Sequence, residues 1–143
     1  MNRILSSTAL LLAVTTSAAA GATGAAAAVR LTNSHLVAMC LDGKAVAKDT
    51  RKWDLTAPVT LTLSMRNDPR PGVDNAAPGL AVITFTPENG HRYEVEVRAS
   101  ITANAERVWR RGEWSPVVRD RTSDRIVSGE PQWLDAAPCI DRY

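Results

Sequence analysis

The side chains best suited to catalysis are two histidines that stand far apart in the sequence. Neither His35 nor His91 has a cysteine or another histidine at the spacing that metal ligands require. A catalytic triad would need one of them beside a nucleophile, and the sequence contains no nucleophile elbow, zinc-peptidase helix, phosphate loop or dinucleotide-binding fingerprint. We therefore expect no metal, no cofactor and no catalytic residue, and we interpret His91 as a solvated turn residue.

Two glutamates offer a second possible acid–base pair. Glu94 and Glu96 share one face of a predicted strand, close enough to suggest paired carboxylates. Arg92 and Arg98 flank them on the same face, which favours a solvated ladder of salt bridges. We adopt the ladder interpretation, which gives these residues no catalytic role.

One segment, residues 107–114, has the composition of a recognition surface. In an extended strand alternate side chains would point the same way, and guanidinium groups beside an indole ring suit an anionic glycan, a lipid headgroup or an acidic partner. The predicted binding residues are Arg107, Trp109, Arg110, Arg111 and Trp114. The alternative is that a tryptophan fills the core or covers a sheet edge while the arginines stay in solvent.

The N-terminus has the pattern of a secretory signal peptide. Residues 1–3 are basic, residues 4–14 form an apolar run, and an alanine-rich stretch follows. Cleavage is expected after Ala20, and the same small-residue rule allows it as late as Ala28, so that 29–143 is a single domain. The apolar run is too short to span a bilayer as a helix. We expect an exported protein, periplasmic or secreted, with no transmembrane segment after signal removal.

Charge and cysteine content fit this compartment. The chain has 17 basic and 15 acidic residues, and loss of Arg3 with the signal leaves a net charge of about +1. Such a balance, together with export, excludes nucleic acid as a partner. In an oxidising compartment the two cysteines, Cys40 and Cys139, are expected to form one disulfide.

The elements that would position these residues are short strands. A long hairpin is predicted from strand 80–86, an Asn-Gly turn, and an alternating strand that starts at His91 and buries Tyr93 and Val95. Further strands are predicted at 36–41 with a short partner at 45–46, and at 59–65, 106–111, 114–119 and 125–128.

Loops are predicted between and after these strands. Residues 44–58 read as a loop anchored by Trp53, residues 67–79 as a long loop, and residues from Gly129 onward as irregular. About seven short strands with turn signals between them predict an all-β fold: an antiparallel β-sandwich stapled by one disulfide.

Four stretches of the sequence resemble a broad group of small exported bacterial envelope proteins and lipoproteins of unknown function. They are an Asp-Gly turn, a strand after a loop, a Gly-x-x-Tyr hairpin and a strand ending in Asp, at 42–44, 59–65, 88–93 and 116–120. The sequence departs from the pattern at 122–124, where a glycine is expected, and it lacks the lipid-attachment cysteine of many members. The resemblance implies a small β-sandwich, prealbumin-like or immunoglobulin-like, in the cell envelope, without catalytic residues.

Two functions are therefore expected, from different classes. The first is a non-catalytic module that binds another envelope component, a protein, glycan or lipid headgroup, through segment 107–114 or loop 67–79. The second is a small exported hydrolase or hydrolase inhibitor, in which that loop reaches into or helps to form an active site. A pocket that gathers His35 or His91 with carboxylates would favour the second, and scattered surface histidines would favour the first.

Overall fold

The protein is a sandwich of two five-stranded β-sheets. The structure, a computed structural model, describes residues 26–66, 78–99 and 109–140. These residues form no helix and ten strands: β1 (Ala27–Leu31), β2 (Leu36–Leu41), β3 (Lys44–Ala45), β4 (Lys52–Leu55), β5 (Val59–Met65), β6 (Leu80–Phe85), β7 (Arg92–Ala99), β8 (Trp114–Asp120), β9 (Arg125–Ile126) and β10 (Gln132–Leu134). The first sheet has the order β4-β1-β7-β8-β9 and the second the order β10-β6-β5-β2-β3. The predicted all-β class is confirmed, with more strands than the seven expected.

The core lies between the two sheets because the strands alternate apolar and polar residues. Strand β1 buries Ala27, Val29 and Leu31 and exposes the two residues between them. Tyr93 and Val95 of β7 are buried on the inner face, as predicted. The Tyr93 ring in the first sheet packs against the Phe85 ring in the second, with centroids 5.4 Å apart. Side chains from both sheets thus share one interior.

The predicted hairpin between residues 80–86 and the strand after His91 is wrong. Both strands exist, but β6 pairs with β5 and β10 in the second sheet, whereas β7 pairs with β1 and β8 in the first. The Asn89–Gly90 turn, with Gly90 at a φ of 78°, carries the chain across the sandwich. Alternation shows only that each strand has one apolar face, and facing strands satisfy that requirement as well as paired strands do.

Strand β1 was missed in the sequence and breaks the expected antiparallel order. It runs parallel to β7, with Val29 beside Tyr93, and antiparallel to β4, with Val29 beside Trp53. Ala27, its first residue, is fully buried. The first two residues of the strand lie in the alanine-rich stretch between the two possible cleavage sites, where small residues obscure the alternation.

Two predicted loops contain strands. Residues 52–55, expected to be a loop, form β4, in which Trp53 packs against the core and its neighbours Lys52 and Asp54 are exposed. Residues 132–134, expected to be irregular, form β10 along the edge of β6. Both strands are too short for a period-2 pattern to be recognised. Residues 67–77 of the predicted loop lie outside the described residues, as does the predicted strand after His91 from residue 100 onward.

The disulfide is present as predicted. Cys40 in β2 is bonded to Cys139, 99 residues later, with Cα atoms 5.8 Å apart. Trp133 of β10 packs edge-on against Trp114 of β8, with ring centroids 5.1 Å apart. The C-terminal segment is therefore docked by a covalent bond and by a pair of indole rings.

Candidate anion-binding cleft

The predicted recognition segment does not present its tryptophans to solvent. Trp109 is 4% exposed and Trp114 is 2% exposed, and both belong to the core cluster. The Trp114 indole Nε1 donates a hydrogen bond to the backbone oxygen of Pro78 at 2.7 Å. A surface built on an exposed indole beside arginines is therefore not formed, and the alternative weighed in the sequence, that the rings fill the core, describes this region.

The arginines of that segment are engaged in local contacts. Arg111 pairs with Asp135 at 2.6 Å, and Arg110 lies 3.9 Å from Glu113. Residues 109–111, the described part of the strand predicted at 106–111, are not in a strand. Residues 111–112 form a turn that leads into β8, with Gly112 at a φ of 84°. Arg107 lies outside the described residues. The buried tryptophans correct the expected exposure of the indole rings, and binding by the arginines of this segment stays a prediction.

His91 is not the solvated turn residue that the sequence suggested. Its Nδ1 lies 2.7 Å from Oδ2 of Asp120, and its Nε2 lies 3.2 Å from Oε2 of Glu88. Asp120 is buried, and its other oxygen accepts hydrogen bonds from the backbone N–H groups of Thr122 and Ser123. The histidine therefore joins the start of β7 to the end of β8 and to the preceding turn.

The surroundings of His91 shift two ionisation equilibria in opposite directions. The hydrogen bond to Asp120 raises the pKa of His91 above its ordinary 6.5, against a smaller opposing effect of desolvation, and the charges of Asp120 and Glu88 add to the rise. Burial works to raise the pKa of Asp120, but hydrogen bonds from His91 and the following backbone outweigh it and lower that pKa below 3.8. An ion pair is the favoured state.

This cluster lacks the arrangement of a hydrolase site. A general base needs one imidazole nitrogen able to accept the proton of a nucleophile, and both nitrogens of His91 already face carboxylates. His35 is separate: its Nδ1 lies 3.2 Å from the backbone oxygen of Arg66. Among the described residues no three His, Cys, Asp or Glu side chains are grouped to hold a metal ion.

Glu94 is the centre of a charged network on the outer face of the first sheet. It is only 8% exposed and contacts two guanidinium groups, with Oε1 accepting hydrogen bonds from Arg30 and Oε2 lying 2.7 Å from Nε of Arg121. The hydrogen bond from Arg30 lowers the pKa of Glu94 below 4.5, desolvation opposes it, and the charge of Arg121 adds to the lowering. One carboxylate thus fixes two arginines from β1 and from the turn after β8.

The predicted ladder along β7 forms with different partners. Glu94 and Glu96 pair with arginines on neighbouring chain segments, Glu96 with Arg119 at 3.1 Å, and not with Arg92 or Arg98. Side chains opposite each other on adjacent strands are closer than alternate side chains on one strand, so cross-strand pairs win. Because Glu94 and Glu96 pair with other arginines, Arg92 has no ion pair among the described residues.

A cleft of about 570 Å³ lies beside Glu94, across β4, β1 and β7. Part of its floor is formed by three residues in register on adjacent strands, Trp53, Val29 and Tyr93. Their side chains point toward the core, and therefore their backbone faces the cleft. Charged side chains from three strands and one turn surround it: Arg30, Lys52, Asp54, Arg92, Glu94 and Arg121. Four are cationic and two are carboxylates, so the cleft is net positive although the protein is nearly neutral.

The cations of the cleft form two groups: Arg30, which pairs with Glu94, lies opposite Lys52, and Arg92 lies beside Arg121. Tyr93 of β7 pairs with Asp120 of β8, and continuing this register by one residue places Arg92 opposite Arg121. The backbone N–H of Arg121 donates a hydrogen bond to the backbone oxygen of Arg92 at 2.7 Å. On its other side Arg92 is opposite Ala28, whose methyl group supplies no charge. Like charges directly opposite each other are destabilising in a sheet. Arg92 therefore stands beside a second cation and an open space.

The residues of this cleft could not be identified from the sequence, because their grouping depends on register. The sequence predicts that Ala28 lies at the later of two possible cleavage sites, that Lys52 and Asp54 lie in a loop, and that Arg92 belongs to a ladder of salt bridges. The one sequence signal was the alternation of charges on β7. Comparisons with protein-family models, with characterised proteins and with solved structures gave no match to this chain. In the described part of the chain no helix has the length and apolar character needed to cross a membrane.

Proposed function

We propose that the protein is an exported, non-catalytic β-sandwich module that binds an anionic component of the cell envelope in the cleft formed by β4, β1 and β7. The observation that carries the proposal is the opposed pair Arg92 and Arg121 beside Ala28. Arg121 is held by Glu94, whereas Arg92 has no ion pair among the described residues, so an anion seated there would supply Arg92 with a counter-charge. It would also meet planar guanidinium donor edges, which suit carboxylate and phosphate oxygens.

The network around Glu94 supports binding rather than catalysis. Because Glu94 holds Arg121 and Arg30 in place, less side-chain entropy is lost when a ligand binds to them. Half of each guanidinium-bearing side chain remains accessible, 58% for Arg30 and 47% for Arg121. The cations are therefore fixed in position and yet available to a ligand.

Export agrees with this proposal. A disulfide between β2 and the C-terminal segment is compatible with an oxidising compartment outside the cytoplasm. The signal-peptide pattern at residues 1–20 and the resemblance to small envelope proteins support the same location.

The test is a charge reversal with a matched control. Arg92→Glu reverses one wall of the cleft. Arg98→Glu makes the same change on the same face of the same strand, at a residue that is also exposed but lies outside this cleft. The two variants have equal net charge, and both should fold because neither arginine has an ion pair with another described residue.

Retention on sulfated dextran, measured as the salt concentration at elution, separates the two variants. We expect Arg92→Glu to elute at markedly lower salt than Arg98→Glu, since only the first removes a donor from the cleft. Equal shifts for the two variants would mean that the matrix senses overall charge, and the proposed cleft would be rejected.

The hydrolase alternative is favoured by one observation, the contact of His91 with Asp120 and Glu88. A histidine grouped with carboxylates in a pocket is the arrangement expected of a hydrolase. His91 does not line the cleft, however, and both of its nitrogens are occupied. Hydrolysis of a chromogenic ester or phosphate by the wild-type protein, abolished in His91→Gln, would establish this alternative.

A further inference from the structure

The two ends of the cleft differ in chemistry, and this difference defines the ligand more narrowly. In the row that crosses β4, β1 and β7, Ala28 stands between Asp54 on one side and Arg92 on the other. Adjacent strands are about 4.8 Å apart, so the carboxylate end and the guanidinium end of the row are separated by about 10 Å of backbone. Asp54 forms no ion pair with another described residue.

We propose that the cleft recognises a phosphate monoester carried on a sugar, with the phosphate at Arg92 and Arg121 and the sugar hydroxyls toward Asp54. This inference rests on the proposed function and specifies its ligand. A carboxylate accepts hydrogen bonds only, so Asp54 calls for a ligand that donates, as hydroxyl groups do. The small Ala28 side chain lets the body of such a ligand lie close to the sheet.

The charge of the ligand and its number of acceptor oxygens favour a phosphate monoester over a carboxylate. The facing charges are Lys52 and Asp54 from β4, Arg30 from β1, Arg92 and Glu94 from β7, and Arg121 from the turn after β8. Their sum is two positive charges, which a dianion neutralises and a single carboxylate does not. A phosphate monoester also has three strong acceptor oxygens, whereas a carboxylate has two.

A membrane lipid is the less suitable carrier of the same phosphate. A protein that docks on a bilayer through a charged cleft commonly inserts apolar side chains beside it. The large apolar side chains exposed in the described residues are Ile126, Val127 and Ile140. Ile126 belongs to β9, at the opposite edge of the sheet from β4. None of these three residues lines the cleft.

The test is calorimetric titration with three matched sugars at pH 5 and pH 7.5. Glucose 6-phosphate gains its second charge near pH 6, glucose 6-sulfate keeps one charge throughout, and glucuronate carries a carboxylate. We expect glucose 6-phosphate to bind at least about fivefold tighter at pH 7.5 than at pH 5. The sulfate ester should change little, which controls for titration of protein groups such as His91.

Variants test the two ends separately. Arg92→Gln should weaken glucose 6-phosphate about tenfold or more, since it removes a charge-assisted donor pair, whereas Arg98→Gln should leave affinity unchanged. Asp54→Asn should weaken glucose 6-phosphate and not inorganic phosphate, because only the sugar reaches that end. Equal losses for both probes would overturn the proposed orientation.

The remaining outcomes distinguish this inference from the function on which it rests. Equal affinity for the three sugars, with no dependence on pH, would overturn the phosphate monoester and leave anion binding intact. Binding to phosphatidate vesicles but not to glucose 6-phosphate would replace the sugar with a lipid carrier. Loss of the difference between Arg92→Glu and Arg98→Glu on sulfated dextran would overturn both proposals.

Discussion

Replacing Glu94 should destabilise the fold far more than replacing Glu96, although both occupy the same face of β7. The sequence pattern predicts that either change costs little, because both residues read as solvated. In the structure Glu94 is buried to 8% exposure and links β7 to β1 and to the turn after β8, whereas Glu96 has the single partner Arg119. The Glu94→Ala change therefore loosens three chain segments at once.

The size of the effect follows from the exposure of the partners. A hydrogen bond to a charged group contributes about 1.5 to 3 kcal/mol, and an exposed ion pair contributes about 0.2 to 1 kcal/mol. Arg30 and Arg121 are about half exposed and can hydrate when Glu94 is removed. We therefore expect a loss of about 1 to 2 kcal/mol for Glu94→Ala and about 0.5 kcal/mol or less for Glu96→Ala.

Urea unfolding followed by tryptophan fluorescence measures both values. The midpoint should shift without a change in slope if only native contacts are lost. The pKa of Glu94 is lowered on folding, so its contribution is complete above pH 4.5 and is lost as the pH falls through the folded value. The gap between wild type and Glu94→Ala should thus narrow in acid. Equal costs for Glu94→Ala and Glu96→Ala at neutral pH would refute the assigned network.

Three further predictions concern other parts of the chain. Because the pKa of His91 is raised, its stabilising contribution is present below pH 6.5 and is lost as the pH rises through the folded value. Over this pH range the unfolding free energy should fall for wild type and stay level for His91→Gln. Parallel curves for the two proteins would contradict the ion pair. Replacing Cys40 and Cys139 together by serine should cost roughly 4 kcal/mol if the chain-entropy model holds, since the bond closes a 99-residue separation; an unchanged urea midpoint would show that the bond does not stabilise the fold. N-terminal sequencing of the exported protein should place cleavage after Ala20, because cleavage after residue 28 would remove the first two residues of β1; a chain that starts at Val29 and remains fully stable would show that those residues are dispensable.

The sequence predicted the parts of the fold that depend on local pattern. The strands at 36–41 and 59–65 alternate clearly, and the burial of Tyr93 and Val95 follows from the same period. The disulfide was predictable because two cysteines allow one pairing. These features need no knowledge of which strand lies beside which.

The parts that failed depend on long-range pairing. A period-2 pattern does not distinguish a hairpin from two strands that face each other across a sandwich, so the relation of β6 to β7 was predicted wrongly. The parallel neighbour of β7 is β1, more than sixty residues earlier in the chain. The cleft exists only where these strands meet, and therefore its residues could not be grouped from the sequence.

The recognition segment at 107–114 shows the same limit in another form. Arginine and tryptophan are common at binding surfaces, but tryptophan is also common in cores, and composition does not separate the two. Trp109 and Trp114 are buried, and Arg111 is paired with Asp135. Only the structure could show that Arg92 is exposed beside Ala28 and has no ion pair among the described residues.

The most direct test of the cleft is an NMR titration that observes arginine Nε–Hε and backbone amide resonances as glucose 6-phosphate is added at pH 7.5. If the ligand binds as proposed, the Nε–Hε signals of Arg92 and Arg121 and the amide of Ala28 should shift together and saturate at one affinity, while Arg98 stays unchanged. Shifts centred on Arg98, or the absence of any saturable shift at Arg92 and Arg121, would contradict an anion-binding cleft on this face.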